Sequence, residues 1–142
     1  MRANLLIGVA WGLWHAPLIV QGYNYPGFPA LGVLTMVAFC IGMSFVLTAV
    51  RELTGSLIPV AAAHGMFNGI APILLILTPN AHPILAGPVG LLGAAIFALL
   101  GAAAWTAVRR RTAPEEGADD PQLSGPRAVP AAVTSADHPA PS

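Results

Sequence analysis

Apolar positions in this chain gather into four long runs, residues 3–20, 31–50, 57–77 and 84–108, each nearly free of charge and separated by short polar or Pro/Gly-rich connections. A hydrocarbon core about 30 Å thick takes roughly 20 residues of α-helix, so each run is long enough to cross it, the first by the narrowest margin. The runs are continuous rather than alternating, which excludes a transmembrane barrel and leaves helices to satisfy the backbone in lipid. The expected fold is therefore all-α, a polytopic transmembrane helical bundle of four spans over residues 1–111. Residues 112–142 change abruptly to Ala, Pro, Ser and acidic side chains, too poor in large apolar groups to offset ordering entropy, and are expected to form a disordered cytoplasmic tail.

The connections refine this picture. Residues 21–30 hold Gly22, Tyr23, Asn24, Tyr25, Pro26, Gly27, Phe28 and Pro29, which end the first helix and place aromatics at the outer headgroup level. Residues 51–56 are short, so the second and third spans are antiparallel neighbours. Pro59 suits a first helical turn, where its missing N–H costs little. Gly90, Ala94, Ala98 and Ala102 form an i, i+4 stripe of small residues on which another helix could pack closely.

Composition agrees with a membrane protein: 56% hydrophobic residues, 8% charged and a mean hydropathy of +0.72 exclude an ordinary soluble domain. Arg2, Arg51 and Arg109-Arg110-Arg111 all fall on one side of a four-span bundle, and residues 21–30 and 78–83 carry no Lys or Arg. The positive-inside rule makes the arginine side, and both termini, cytoplasmic. A formal net charge of zero gives no reason to expect nucleic acid as a partner. The single cysteine, Cys40, lies mid-span and reads as a packing residue. His82 and His138, in a Pro-flanked loop and in the tail, read as solvated.

Two histidines change the picture. His15 and His64 lie inside apolar runs, where an ionisable residue costs on the order of 2–3 kcal/mol and marks a functional site by default. Trp11 and His15 share a helical face at i, i+4, as do His64 and Asn68. With the first and third spans side by side, Asn4, Gly8, Trp11 and His15 would oppose Ala61, His64 and Asn68, with Gly12, Gly65 and the Ala61–63 run leaving room for water or substrate. Imidazole can bind a metal, orient water or move a proton, and an amide can donate to an oxyanion. Interhelical hydrogen-bond glue remains the plainer reading of the same residues. Two axial histidines of a haem-binding bundle are another, although His15 is nearer the outer end of its helix and His64 nearer the inner end of its own.

Trp11-x-x-x-His15 followed by Ala16-Pro17 resembles the second signature, F-x-x-x-H, of the CAAX protease and bacteriocin-processing (CPBP) intramembrane proteases. Gly55-Ser56-Leu57-Ile58-Pro59 leading into His64-x-x-x-Asn68 resembles their last signature, H-x-x-x-N. The resemblance implies an intramembrane endopeptidase of the CAAX-processing type in the plasma membrane of a bacterium, acting on membrane-associated protein or peptide substrates. It implies His15 and His64 as catalytic residues that activate water or bind a divalent metal such as zinc, Asn68 as the oxyanion donor and Trp11 in the substrate pocket. The family's E-E-x-x-x-R signature, whose glutamate activates water, is not found before Trp11, and Glu115-Glu116 follows the motifs without the Arg. The expectation is thus the carboxy-terminal part of such a protease, inactive as written without that glutamate. The alternative within the same fold is a non-catalytic immunity or scaffold protein.

Overall fold

The computed structural model describes residues 1–112. The expected tail, with Glu115, Glu116 and His138, lies outside the described residues. Five helices follow in order: α1 (Arg2–Trp14), α2 (Ala16–Val20), α3 (Pro29–Thr54), α4 (Ile58–Leu77) and α5 (Leu91–Thr112). α1 and α2 together make one candidate span, and α3, α4 and α5 make three more, each long and apolar enough to cross a membrane. This is the integral membrane protein with four helical spans that the apolar runs predict.

The first span is broken where the sequence places Pro17. Its ring supplies no N–H to the carbonyl of Leu13 and crowds that oxygen, so the regular ladder cannot pass. α1 ends at Trp14, His15 takes the junction with φ −80° and ψ −14°, and α2 restarts at Ala16.

α3 is the centre of the bundle, with α1 and α5 packed on it through glycine. A Cβ added at Gly8 or Gly12 would lie 2.5 Å from the Cα of Ile41 or Val37, so α1 rests against the backbone of α3. Across the other interface Gly101 lies under Phe45 and Gly42 under Phe97 and Ala98. Lipid offers no hydrophobic drive between helices, and such close approach supplies the dispersion contact that replaces it. Ser44 is buried in the α1–α3 seam, and its hydroxyl donates to the carbonyls of Asn4 and Ile41 at 2.9 and 2.8 Å.

The small-residue stripe on α5 is only half realised. Gly90 and Ala94 are buried, but Ala98 and Ala102 are exposed and the contact line passes instead to Gly101 and Val108. Each four-residue step advances about 40° beyond a full helical turn, so an i, i+4 series rotates off the interface and a three-residue step must correct it. The last span also begins later than its apolar run: residues 84–90 form a loop containing Gly87, Pro88 and Gly90, with Ile84 and Val89 buried.

The two outer connections are tied together. Tyr25 is fully buried, its ring lies against Gly32, and its hydroxyl donates to the carbonyl of Val89 at 2.5 Å. Tyr23 and Phe28 are exposed, as interfacial aromatics should be, whereas Tyr25 turns inward. Burial pushes the Tyr25 phenol above its ordinary range, and the nearby Cys40 adds to the shift. At the opposite end, Gly55 adopts the left-handed φ of 66° that closes α3, its N–H bonding to the carbonyl of Arg51 at 2.8 Å. The Arg109 guanidinium approaches the Met1 sulfur there, so the arginine-bearing ends of α1 and α5 are neighbours.

α4 is the least enclosed span. His64, Phe67, Ala71 and Leu75 form its inward stripe, and most other side chains along it are exposed. Phe39, Phe67 and Phe97 join α3, α4 and α5, with ring centroids 5.1–5.4 Å apart in stacked and edge-on pairs.

Candidate active site

At the end of α1, the His15 Nδ1–H donates to the carbonyl of Trp11 at 2.8 Å. A carbonyl accepts only, so Nδ1 carries a proton, and in the neutral ring Nε2 is left with its lone pair. On α4 the Asn68 amide stands 3.2 Å from Nε2 of His64 one turn away. With the amide N–H donating, Nε2 accepts and the His64 proton resides on Nδ1. Each i, i+4 pair therefore forms the local contact that its spacing allows.

Trp11 brings the two pairs together. Its indole lies 6.4 Å from the His15 ring and meets the His64 ring edge-on at 5.1 Å, centroid to centroid. His15, His64, Asn68 and Trp11 all line one cavity of about 400 Å³. Both imidazoles are half-buried and Asn68 is exposed. Cys40 and Met36 of α3 also line the cavity, and Tyr23, Asn24, Pro88 and Val89 bound it at the end of the bundle away from the arginines. Asn24 sits there with a left-handed φ of 63°, which asparagine tolerates better than most residues.

Several neighbours fall elsewhere. Asn4, Gly8 and Gly12 face α3 rather than α4, because a strict four-residue series drifts around the helix and the glycines are needed at the α1–α3 contact. Gly12 is thus packing, not space beside His15. Gly65 does face open space, and residues 61–63 are exposed and lie off the cavity wall. His82 is an exposed loop residue against Phe28, with the Ile84 N–H donating to its Nδ1 at 3.3 Å.

Sequence spacing missed Pro72. It lies inside α4, lines the cavity and supplies no N–H to the carbonyl of Asn68 one turn earlier. The signal was visible as a proline four residues beyond Asn68. Cys40 is the buried packing residue that its mid-span position suggests, and it also lines the cavity; nothing in its local sequence points to the cavity, which arises from helices distant in the chain.

The residues present do not make a catalytic zinc site, which takes three protein ligands and an open position. Among the described residues no three His, Cys, Asp or Glu side chains come together, and the Nε2 of His64 already faces the Asn68 amide. The Nε2 of His64, the atom an axial haem ligand would use, faces that same Asn68 amide. The acid nearest in sequence to either motif among the described residues, Glu52, is exposed at the inner end and pairs with Arg51 at 3.7 Å.

Residues 1–70 match the family model described as Rce1-like, type II CAAX prenyl endopeptidase. The matched segment includes both the Trp11/His15 and the His64/Asn68 signatures. No curated protein and no solved structure gives a match.

Proposed function

We propose that this chain, which belongs through residues 1–70 to the Rce1-like family of type II CAAX prenyl endopeptidases, hydrolyses peptide bonds of a membrane-associated protein or peptide in the cavity between α1 and α4. The observation that carries this reading is the convergence of His15, His64 and Asn68 on one cavity from two separate spans.

In the proposed reaction a water molecule hydrogen-bonded to the free Nε2 of His15 attacks the scissile carbonyl carbon and passes a proton to that nitrogen. The carbonyl oxygen becomes an oxyanion as the carbon turns tetrahedral. Asn68 has a second amide N–H, not used by His64, which donates to this oxyanion. The carbon–nitrogen bond then breaks, and the His15 imidazolium returns its proton to the leaving amine. His64 holds the Asn68 amide in position, and Trp11 walls the space between the imidazoles. No step runs through a metal.

No carboxylate of the described residues lines the cavity, so nothing there supports the His15 imidazolium as an acid partner would. Slow turnover is the expectation for the chain as given. The same observation favours a second reading, in which the cavity binds a peptide without cleaving it, as an immunity or scaffold protein would.

Purified protein in lipid nanodiscs, incubated with quenched-fluorescence peptides with and without a prenylated cysteine, separates the two. Product identified by mass spectrometry and abolished by His15→Ala supports hydrolysis. Peptide binding with no product supports the binding reading, and product formation unaffected by His15→Ala and His64→Ala would sink the mechanism.

A further inference from the structure

We propose that Pro17 is a positioning residue that fixes the tautomer of His15 by releasing the main-chain carbonyl of Trp11. The proposal deepens the hydrolytic reading, since it rests on His15 Nε2 as the proton acceptor.

In an uninterrupted helix the N–H of residue 15 bonds to the carbonyl of residue 11, and that oxygen is engaged. Here the His15 N–H turns to the carbonyl of Gly12, at 3.2 Å, one residue short of the regular partner. Pro17 lies two residues on, and its ring both lacks an N–H and crowds the carbonyl of Leu13. Beyond the break the N–H groups of Leu18 and Ile19 both return to the carbonyl of His15, each at 3.1 Å, so the junction is resealed around His15 itself. The Trp11 carbonyl is thereby left for the imidazole, which takes it at 2.8 Å.

The consequence is chemical. Unconstrained neutral imidazole favours the Nε2–H form, which has no lone pair at Nε2 to accept a proton. The Trp11 carbonyl reverses that preference by accepting from Nδ1–H, and in a poorly hydrated site such a bond is stronger than in water. The break in the first span is then the device that keeps Nε2 of His15 basic, and Trp11 contributes its main chain as well as its indole.

Long-range proton–nitrogen correlation spectra of protein carrying ¹⁵N-histidine, in nanodiscs, read the tautomer directly, with the His15 signals identified by their loss in His15→Gln. The expected result is the Nδ1–H form in the unaltered protein and a shift toward Nε2–H in Pro17→Ala. Leu18→Ala, an exposed neighbour, keeps the Nδ1–H form. An Nε2–H signature in the unaltered protein overturns the proposal with no variant required, as does an unshifted Nδ1–H signature in Pro17→Ala or Pro17→Gly. Where turnover is measurable, Pro17→Ala lowers kcat by about a hundredfold, the lower end of what a positioned base contributes, with KM little changed. The tautomer is read whether or not a peptide is cleaved. A silent peptidase assay therefore counts against the hydrolytic reading, and a wrong tautomer counts against the role of Pro17.

Discussion

The indole of Trp11 meets the imidazole of His64 edge-on, with ring centroids 5.1 Å apart at 80°, and so joins α1 to α4 across the cavity. Both helices lean on α3, and α4 is otherwise lightly held. Trp11→Phe keeps a ring at this junction and is expected to retain most activity. Trp11→Ala removes it and should lower kcat by about a hundredfold through misplacement of His64 relative to His15. Steady-state peptide cleavage by the two variants checks the ordering.

His15→Ala and His64→Ala should each remove most of whatever peptidase activity the chain has, because residues acting as one unit do not lose function additively. Asn68→Ala should raise the barrier by about 2.7–4 kcal/mol if its amide meets the oxyanion, roughly a hundredfold to a thousandfold in rate. Single-turnover rates at saturating peptide give the comparison, and a double variant no worse than His15→Ala confirms the shared step.

Two glycines on different spans, Gly8 of α1 and Gly65 of α4, should behave oppositely. Gly8→Leu forces a side chain onto the Ile41 backbone and is expected to cost about 1–3 kcal/mol by overpacking. Gly65→Ala meets nothing within 4 Å and should stabilise α4 by about 0.5–1 kcal/mol through helix propensity. Denaturation in mixed micelles reads both.

The Tyr25 phenol predicts a loss of stability in alkali. Its folded pKa is raised by burial, so the unfolded chain releases the proton first. The contribution is complete below about pH 10, the ordinary phenol value, and is lost as pH rises through the folded value. Tyr25→Phe should remove this alkaline decline while lowering stability near neutrality by about 1–3 kcal/mol, since the Val89 carbonyl loses its donor. Thermal unfolding across that range distinguishes the two proteins.

The one-sided arginines predict that a reporter fused after Arg111 reports a cytoplasmic location. In a Cys40→Ala background, Asn24→Cys at the opposite end should react with a membrane-impermeant thiol reagent added from outside the cell. Reaction confined to inside-out vesicles would reverse the orientation.

Most of the architecture was legible because apolar length has few meanings in a bilayer. Three spans begin and end within a few residues of their runs, and Pro59 lies in the first turn of α4 as its missing N–H suggests. The late start of α5 and the rotation of its contact line depended on how Gly87, Pro88 and Gly101 pack, which periodicity does not contain. The pairing of Trp11 with His15 and of His64 with Asn68 was legible from four-residue spacing. Their common cavity also required α3 to set the distance between α1 and α4, and the contest for Gly8 and Gly12 between cavity and packing was decided by the backbone of α3. The inward turn of Tyr25 could not be foreseen, because its partner Val89 lies 64 residues away.

Pro72 gives the wall of the cavity a property that helices normally hide. By withholding an N–H from the carbonyl of Asn68, it leaves that carbonyl without its regular helical donor on the same residue whose side chain offers an amide N–H. An extended peptide presents the complementary pair, N–H and C=O, along its edge. One turn of α4 can thus be read as a strand edge set into a helix, and the surrounding hydrocarbon, unable to bond to it, leaves that edge to water or to a visiting chain.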